Sequence, residues 1–211
     1  MNRHMRLLCL AGLLTPFGCG STESSTPTRS APPTVANGTT DPPLLTTPSV
    51  TTEPPASAVK LDVKSWEETL ALVAEHQGKI VVLDLWSTSC EPCLAEFPNL
   101  VALHENRGQE DVVCLSANCD YIGLKSKPPE SYVPNVLEFL TKQKATFQNM
   151  LLNVDADELF EKIELASIPA VFVFGRDGQL AKRFDNDLAK KDEEFTYQED
   201  VIPFVEGLLS K

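Results

Sequence analysis

The sequence has few of the residues that hold metal ions or nucleic acids. Its 211 residues include three histidines, and 18 lysines and arginines stand against 30 acidic residues. The resulting formal charge of −12 excludes a surface built to neutralise phosphates. Zinc beside paired cysteines would need two further ligands at a recognisable spacing, and neither His76 nor His104 has a matching partner. We therefore expect no metal and no nucleic-acid partner.

A hydrophobic run long enough to cross a membrane is also missing. The apolar run at residues 7–14 is much shorter than the roughly 20 residues that a membrane-spanning helix needs. Because Arg3 and Arg6 precede this run, the order is typical of a signal peptide. The sequence therefore predicts export from the cytoplasm without an integral membrane helix.

A cysteine follows the apolar run after a small residue, Gly18-Cys19. This pair resembles the lipobox of bacterial lipoproteins, although Pro16 stands where leucine is usual. The resemblance implies that Cys19 is lipidated and tethers the chain to the membrane in the bacterial periplasm or cell envelope. The alternative is an ordinary cleaved signal peptide. Either interpretation assigns residues 1–19 to targeting.

Residues 20–58 have almost nothing to bury. They hold eight of the 16 prolines together with ten threonines and six serines. Such a composition does not offset the entropy lost when a backbone is ordered. We predict a disordered linker with polyproline character over residues 20–58, followed by one folded domain over residues 59–211.

From Val59 onward, apolar patterns alternate between strand and helix spacing. Ser65 and Glu68 form a capping box at the first helix, and residues 175–178 form the turn of a hairpin. The predicted strands cover residues 61–63, 79–86, 112–116, 151–154, 170–174 and 180–184, and the predicted helices cover residues 65–78, 90–106, 136–144, 155–165 and 201–209. This order predicts an α/β domain with a mixed sheet and helices on both faces, which is the thioredoxin-like pattern.

Cys90 and Cys93 form a Cys-x-x-Cys pair where a buried strand meets a helix, which is typical of a redox motif. The thiolate is the reactive form of cysteine, and the first turn of a helix stabilises it with free N–H groups and a partial positive charge. Pro92 suits that turn because it has no N–H to leave unpaired. We predict that Cys90 is the outer, attacking sulfur and that Cys93 faces the protein.

The segment around these cysteines resembles the TlpA/ResA family of thioredoxin-like proteins, which are anchored outside the bacterial cytoplasmic membrane and include cytochrome c maturation reductases. The shared features are Trp86, the Cys-Glu-Pro-Cys motif at residues 90–93, Glu96 and Pro98. The resemblance covers residues 59–211. It implies a thiol–disulfide oxidoreductase with a thioredoxin-like fold and no bound cofactor.

The same resemblance extends to Ile168-Pro169. It implies a cis bond before Pro169, which faces the disulfide and holds the substrate backbone beside Cys90. Only about 5–6% of X–Pro bonds in folded proteins are cis, but the position just before a hairpin overrides that expectation. The predicted substrate contacts are Trp86, Glu91, Pro92, Ile168 and Pro169.

Two carboxyl groups are candidates for catalytic proton transfer. Asp84 lies in an apolar strand six residues before Cys90, where an acid is costly unless it is neutral or useful. Thioredoxin keeps a buried acid here that exchanges a proton with the inner cysteine, whereas many TlpA/ResA members have asparagine. Glu96 lies one turn beyond Cys93, and the resemblance makes it an acid of the active-site cavity. The alternative for Glu96 is a solvated helix residue.

Cys114 and Cys119 leave three interpretations open. They pair in an oxidising compartment, Cys114 fills the core, or one of them resolves an intermediate as in a peroxidase.

The predicted reaction is reduction of a disulfide in a partner protein. A membrane thiol–disulfide donor is predicted to supply the electrons. The domain is predicted to be a monomer. Glu91 lies between the thiols, and no lysine, arginine or histidine occurs between Lys79 and Asn99. Negative surroundings disfavour the thiolate and so favour a reductase. The alternatives are an oxidase that donates its disulfide and a metal- or haem-delivery module that uses the same thiols.

Overall fold

The computed structural model describes residues 58–108, 111–187 and 194–210. The targeting segment, Cys19 and nearly all of the predicted linker lie outside these residues. The strands are β1 (Asp62–Lys64), β2 (Ile80–Trp86), β3 (Val112–Asn118), β4 (Gln148–Leu152), β5 (Ala170–Phe174) and β6 (Leu180–Phe184). The helices are α1 (Trp66–Glu75), α2 (Glu91–Arg107), α3 (Val133–Gln143), α4 (Ala156–Lys162) and α5 (Ile202–Leu209).

The six strands form one mixed sheet in the order β1-β4-β3-β2-β5-β6. Strands β1, β4, β3 and β2 run parallel, whereas β5 pairs antiparallel with both β2 and β6. Every residue of β2 is buried, as its continuous apolar run predicts for a central strand. This is the predicted thioredoxin-like fold, and it puts the end of β2 in the middle of the sheet.

Helices cover both faces of the sheet. Helices α2, α3 and α5 pack on one face, where Phe97 and Leu100 of α2 have no exposed surface. Helices α1 and α4 pack on the other face through Trp66, Val73 and Leu159. None of the helices in the described ranges has the length and apolar character needed to cross a membrane.

The helix starts follow the capping signals of the sequence. The Ser65 hydroxyl accepts a hydrogen bond from the Glu68 N–H, and the Glu68 carboxylate accepts one from the Ser65 N–H, which confirms the capping box. At α4 the cap is Asp155, whose carboxylate accepts a hydrogen bond from the N–H of Glu158.

Several elements differ from the prediction. Helix α3 begins at Val133 because Pro134 lies in its first turn, where no intrahelical N–H is required. Strand β4 begins at Gln148, ahead of the predicted start at residue 151. The chain before α5 forms a short π-helix, Tyr197–Val201, which the sequence prediction did not include.

Candidate active site

Cys90 lies at the start of α2, after a short loop that follows β2. Cys90 is the N-cap residue of this helix, and its sulfur accepts a hydrogen bond from the Cys93 N–H at 3.3 Å. The two cysteines form a disulfide with an S–S distance of 2.01 Å. Cys90 is half-buried, whereas Cys93 is 3% exposed. Cys90 is therefore the more accessible of the two sulfurs.

The segment before β5 faces this disulfide. The peptide bond between Ile168 and Pro169 is cis, as the resemblance implied. The Ile168 carbonyl oxygen lies 3.8 Å from the Cys90 sulfur. Ile168 is half-buried and Pro169 is buried.

A buried carboxylate fixes the loop that leads from β2 to Cys90. Asp120 follows β3 and is 9% exposed. It accepts hydrogen bonds from the Thr88 N–H at 2.8 Å, the Thr88 hydroxyl at 2.6 Å and the Ser87 hydroxyl at 2.7 Å. The Ser87 oxygen also lies 2.8 Å from the hydroxyl of Ser89, the residue before Cys90. The polar network therefore spans every residue between β2 and the disulfide.

Asp84 lies in the middle of β2 and is 4% exposed. The Tyr197 hydroxyl donates a hydrogen bond to its carboxyl oxygen at 2.5 Å. Burial raises the pKa of Asp84 from 3.8 to about 7. The hydrogen bond from Tyr197 lowers this pKa, whereas the charge of Glu96 raises it further. A carboxyl group with a pKa in this range exchanges a proton near neutral pH.

Glu96 lies on the first turns of α2 and is half-buried. Its carboxylate accepts hydrogen bonds from the Tyr197 N–H at 2.9 Å and the Asn99 side-chain amide at 3.2 Å. The charge of Glu96 also raises the pKa of Asp84. The structure thus brings the two predicted carboxyl groups together around Tyr197.

The predicted substrate contacts divide by exposure. Glu91 and Pro92 are exposed next to Cys90. The side chain of Trp86, in contrast, has no exposed surface, because it packs against Phe97 and Phe139 with ring centroids 4.9 and 4.8 Å away. A side chain without exposed surface contacts no substrate in this conformation, so Trp86 packs beneath the site instead.

Cys114 and Cys119 are free thiols, both buried. Cys114 lies in the core on the α2 face of the sheet, and Cys119 lies in the core on the α1 face. Burial raises the pKa of both thiols, and the charge of Asp84 raises the pKa of Cys114 further. The two thiols do not pair in this fold, and core filling is the interpretation that it supports.

The described residues contain no group of three or more histidine, cysteine and acidic side chains placed to hold a metal ion. A groove of about 260 Å³ lies between the start of α2 and helix α3. It is lined by Thr88, Leu94, Asn135, Glu138, Phe139 and Lys142.

Sequence reasoning did not identify Tyr197 and Asp120. A signal existed for each of them. Thr196 and Glu199 have the spacing of a helix cap just before Tyr197, and the Thr196 hydroxyl accepts a hydrogen bond from the Glu199 N–H. Asp120 directly follows a core strand at the edge of the sheet where the parallel strands end, which is where functional polar groups collect in α/β sheets.

The model of the redoxin family matches residues 48–200 of the chain. No curated protein sequence matches it significantly. Among solved structures, the chain is similar to a secreted disulfide oxidoreductase from Mycobacterium tuberculosis, with 23% identity, a TM-score of 0.47 and coverage of 64% of this chain and 86% of that one. It is also similar to a thiol:disulfide interchange protein from Chlorobium tepidum, with 18% identity, a TM-score of 0.47 and coverage of 64% and 83%. An exposed lipoprotein thioredoxin from Streptococcus pneumoniae matches with 21% identity, a TM-score of 0.42 and coverage of 64% and 90%.

Proposed function

The chain belongs to the redoxin family, and from this premise we propose that it reduces disulfide bonds of partner proteins outside the cytoplasm. It is a thiol–disulfide oxidoreductase with a thioredoxin-like fold. The observation that carries the proposal is the disulfide between Cys90 and Cys93 at the start of α2, with one sulfur accessible and the other buried. This arrangement separates a sulfur that attacks from a sulfur that resolves.

Cys90 is the proposed nucleophile. In the reduced protein, the Cys93 N–H and the N-terminal end of α2 are positioned to stabilise a thiolate on Cys90. This thiolate attacks one sulfur of the substrate disulfide and forms a bond to it. The substrate disulfide breaks, and the released substrate sulfur leaves as a thiolate that takes up a proton. The product is a mixed disulfide between Cys90 and the substrate.

Cys93 resolves the mixed disulfide. Its thiol loses a proton to a carboxylate, for which we propose Asp84 with Glu96 as its neighbour, and the resulting thiolate attacks the sulfur of Cys90. The bond between Cys90 and the substrate breaks, and the second substrate sulfur leaves as a thiolate and takes up a proton. Two electrons have then passed from the protein to the substrate, and the protein is left with its disulfide.

The surroundings of the disulfide support reduction rather than oxidation. A strongly oxidising dithiol needs a greatly stabilised outer thiolate. Glu91 lies between the two cysteines, and no lysine, arginine or histidine occurs between Lys79 and Asn99 in the sequence. Negative charge close to a thiolate destabilises it, so the disulfide form is favoured and the dithiol is a good donor of electrons.

The remaining parts of the proposal concern where the protein works and with what. Lipidated Cys19 tethers the chain to the membrane, and a membrane thiol–disulfide donor restores the dithiol after each reaction. Ile168 and Pro169 hold the substrate backbone beside Cys90, and the exposed Glu91 and Pro92 also contact the substrate. Apocytochromes c are the substrate class that the family resemblance favours.

The reduction potential tests the direction of electron flow. The protein is equilibrated in thiol buffers of defined potential, and the fraction that holds the Cys90–Cys93 disulfide is measured by alkylation. We expect a value on the reducing side of about −200 mV, nearer to that of thioredoxin at about −270 mV. A value close to about −120 mV, typical of a dedicated bacterial oxidant, would overturn the proposal and make the protein a disulfide donor.

A further inference from the structure

One residue of the C-terminal segment holds both carboxyl groups of the site. The side chain of Tyr197 is 1% exposed, and its hydroxyl donates to Asp84 at 2.5 Å. Its backbone N–H donates to Glu96 at 2.9 Å. Asp84 belongs to β2 and Glu96 to α2, so Tyr197 connects the central strand with the helix that carries the disulfide.

The position of Tyr197 is set by the start of its own helix. The first N–H groups of a helix have no intrahelical acceptor and need a partner from outside. The N–H of Glu199 is taken by the Thr196 hydroxyl, and the N–H of Thr196 is taken by the Asp200 carboxylate. The N–H of Tyr197 is taken by Glu96. The backbone and the side chain of Tyr197 are therefore fixed at the same time.

The groups that face Asp84 include no cation among the described residues. Glu96 approaches it from α2, Tyr197 from the π-helix, and Cys114 and Cys119 lie on β3 and just after it. On the flanking strands, Ser116 and Val171 are its register partners. Tyr197 is the one hydrogen-bond donor to the Asp84 carboxyl in the described part of the chain.

We propose that Tyr197 is a positioning residue that holds Asp84 ready to accept the proton of Cys93. This inference rests on the proposed function, in which Asp84 takes that proton. The Tyr197 hydroxyl stabilises the Asp84 carboxylate by donating a hydrogen bond to it. The backbone N–H of Tyr197 donates to Glu96 and holds that carboxylate on the α2 side of Tyr197. Burial and the charge of Asp84 raise the pKa of Tyr197 well above its usual value, so its hydroxyl stays protonated and remains a donor.

The first test measures Asp84 itself in the oxidised protein, by following its carboxyl carbon with nuclear magnetic resonance across pH. Tyr197→Phe removes the hydroxyl and keeps the ring. We expect the titration midpoint of Asp84 to rise by about one pH unit, because a hydrogen bond to the charged form is lost. Tyr132→Phe is the matched control, since the Tyr132 hydroxyl is buried without a partner among the described residues. The inference fails if the midpoint is the same in both variants.

The second test measures the rate at which Cys93 resolves a preformed mixed disulfide between Cys90 and a thionitrobenzoate group, across pH. Tyr197→Phe should move the pH profile upward by the same amount as the midpoint, and Tyr132→Phe should leave it in place. In an Asp84→Asn background, Tyr197→Phe should no longer move the profile. A midpoint that rises while the rate profile stays fixed overturns the positioning role.

The two tests separate this inference from the proposed function. If Asp84→Asn alone leaves the rate profile unchanged, the assignment of Asp84 as proton acceptor fails, whether or not Tyr197 controls its midpoint. If Tyr197→Phe does not fold, the chain is produced with 3-fluorotyrosine, whose phenol is a stronger hydrogen-bond donor of nearly equal size. The Asp84 midpoint should then fall, and an unchanged midpoint contradicts the inference.

Discussion

The carboxylate of Asp120 accepts two hydrogen bonds from Thr88, one from its backbone N–H at 2.8 Å and one from its hydroxyl at 2.6 Å. Thr88 stands two residues before the accessible cysteine, in the loop that joins the central strand to the active-site helix. A single buried carboxylate in the segment after β3 therefore fixes the loop that leads to Cys90. The position of the Cys90 sulfur therefore depends on a residue 30 positions further along the chain.

Asp120→Asn should destabilise the domain and disturb the loop. An amide has one oxygen in place of two, and its nitrogen donates where Thr88 and Ser87 also donate. We expect a loss of about 1–3 kcal/mol in the free energy of unfolding, measured with urea, and a slower attack of Cys90 on a model disulfide. Asp111→Asn is the control, because that carboxylate forms an exposed ion pair with Arg176 and should change stability by at most about 1 kcal/mol. Equal effects of the two substitutions would contradict the role of Asp120.

Cys93→Ser should accumulate covalent adducts with disulfide-containing proteins, because Cys90 still attacks and nothing resolves the bond. Cys90→Ser should form none, since Cys93 is 3% exposed and is not reached. Adducts are detected as reductant-sensitive bands on non-reducing gels and identified by mass spectrometry. Similar behaviour of the two variants would refute the division between an attacking and a resolving sulfur.

Asp84→Asn should change how stability depends on pH. The pKa of Asp84 is about 7 in the folded protein against 3.8 when unperturbed, so the folded state binds the proton more tightly. The stability that Asp84 contributes is therefore fully present below about pH 4 and is lost as the pH rises to about 7. Asparagine has no such dependence and still accepts the Tyr197 hydrogen bond. The stability of the variant relative to wild type should grow by about 4 kcal/mol over that interval, measured by urea unfolding at each pH. A constant difference between the two proteins would show that Asp84 titrates normally.

Cys114→Ala and Cys119→Ala should leave the turnover of disulfide reduction unchanged. Both thiols are buried, their pKa values are raised by burial, and neither lies at the start of a helix. Reduction of insulin, followed by turbidity, measures the turnover, and each loss of a buried sulfur should cost about 1 kcal/mol of stability. If either folded variant lost turnover, a relay through that thiol would replace the two-cysteine mechanism.

The sequence predicted the parts of the site that depend on local pattern. Cys90, Cys93 and the start of α2 follow from spacing and helix capping, and the alternation of strands and helices was enough to predict the fold. The predicted start of α3 was wrong because Pro134 was placed in a loop, and proline is equally compatible with the first turn of a helix. Such errors are local and do not change the topology.

The contacts made across the sheet were not predictable in the same way. Tyr197 lies 113 residues from Asp84, and its hydroxyl reaches that carboxyl only because α5 and the π-helix pack on the same face as α2. Trp86 is among the predicted substrate contacts, yet packing against Phe97 and Phe139 removes all of its exposed area. The spacing of residues within one helix or strand does not show which of its side chains will be covered by an element that comes later in the chain.

The separation of Cys114 and Cys119 by the sheet bears on how the chain acquires its disulfide. The four cysteines of residues 59–211 can combine into two disulfides in three ways while the chain is unfolded. Once β3 has paired with β2 and β4, the core layers on its two sides enclose Cys114 and Cys119 separately, and Cys90 and Cys93 are the pair left within reach. Oxidation that follows assembly of the sheet therefore gives a single product, whereas oxidation before it gives a mixture.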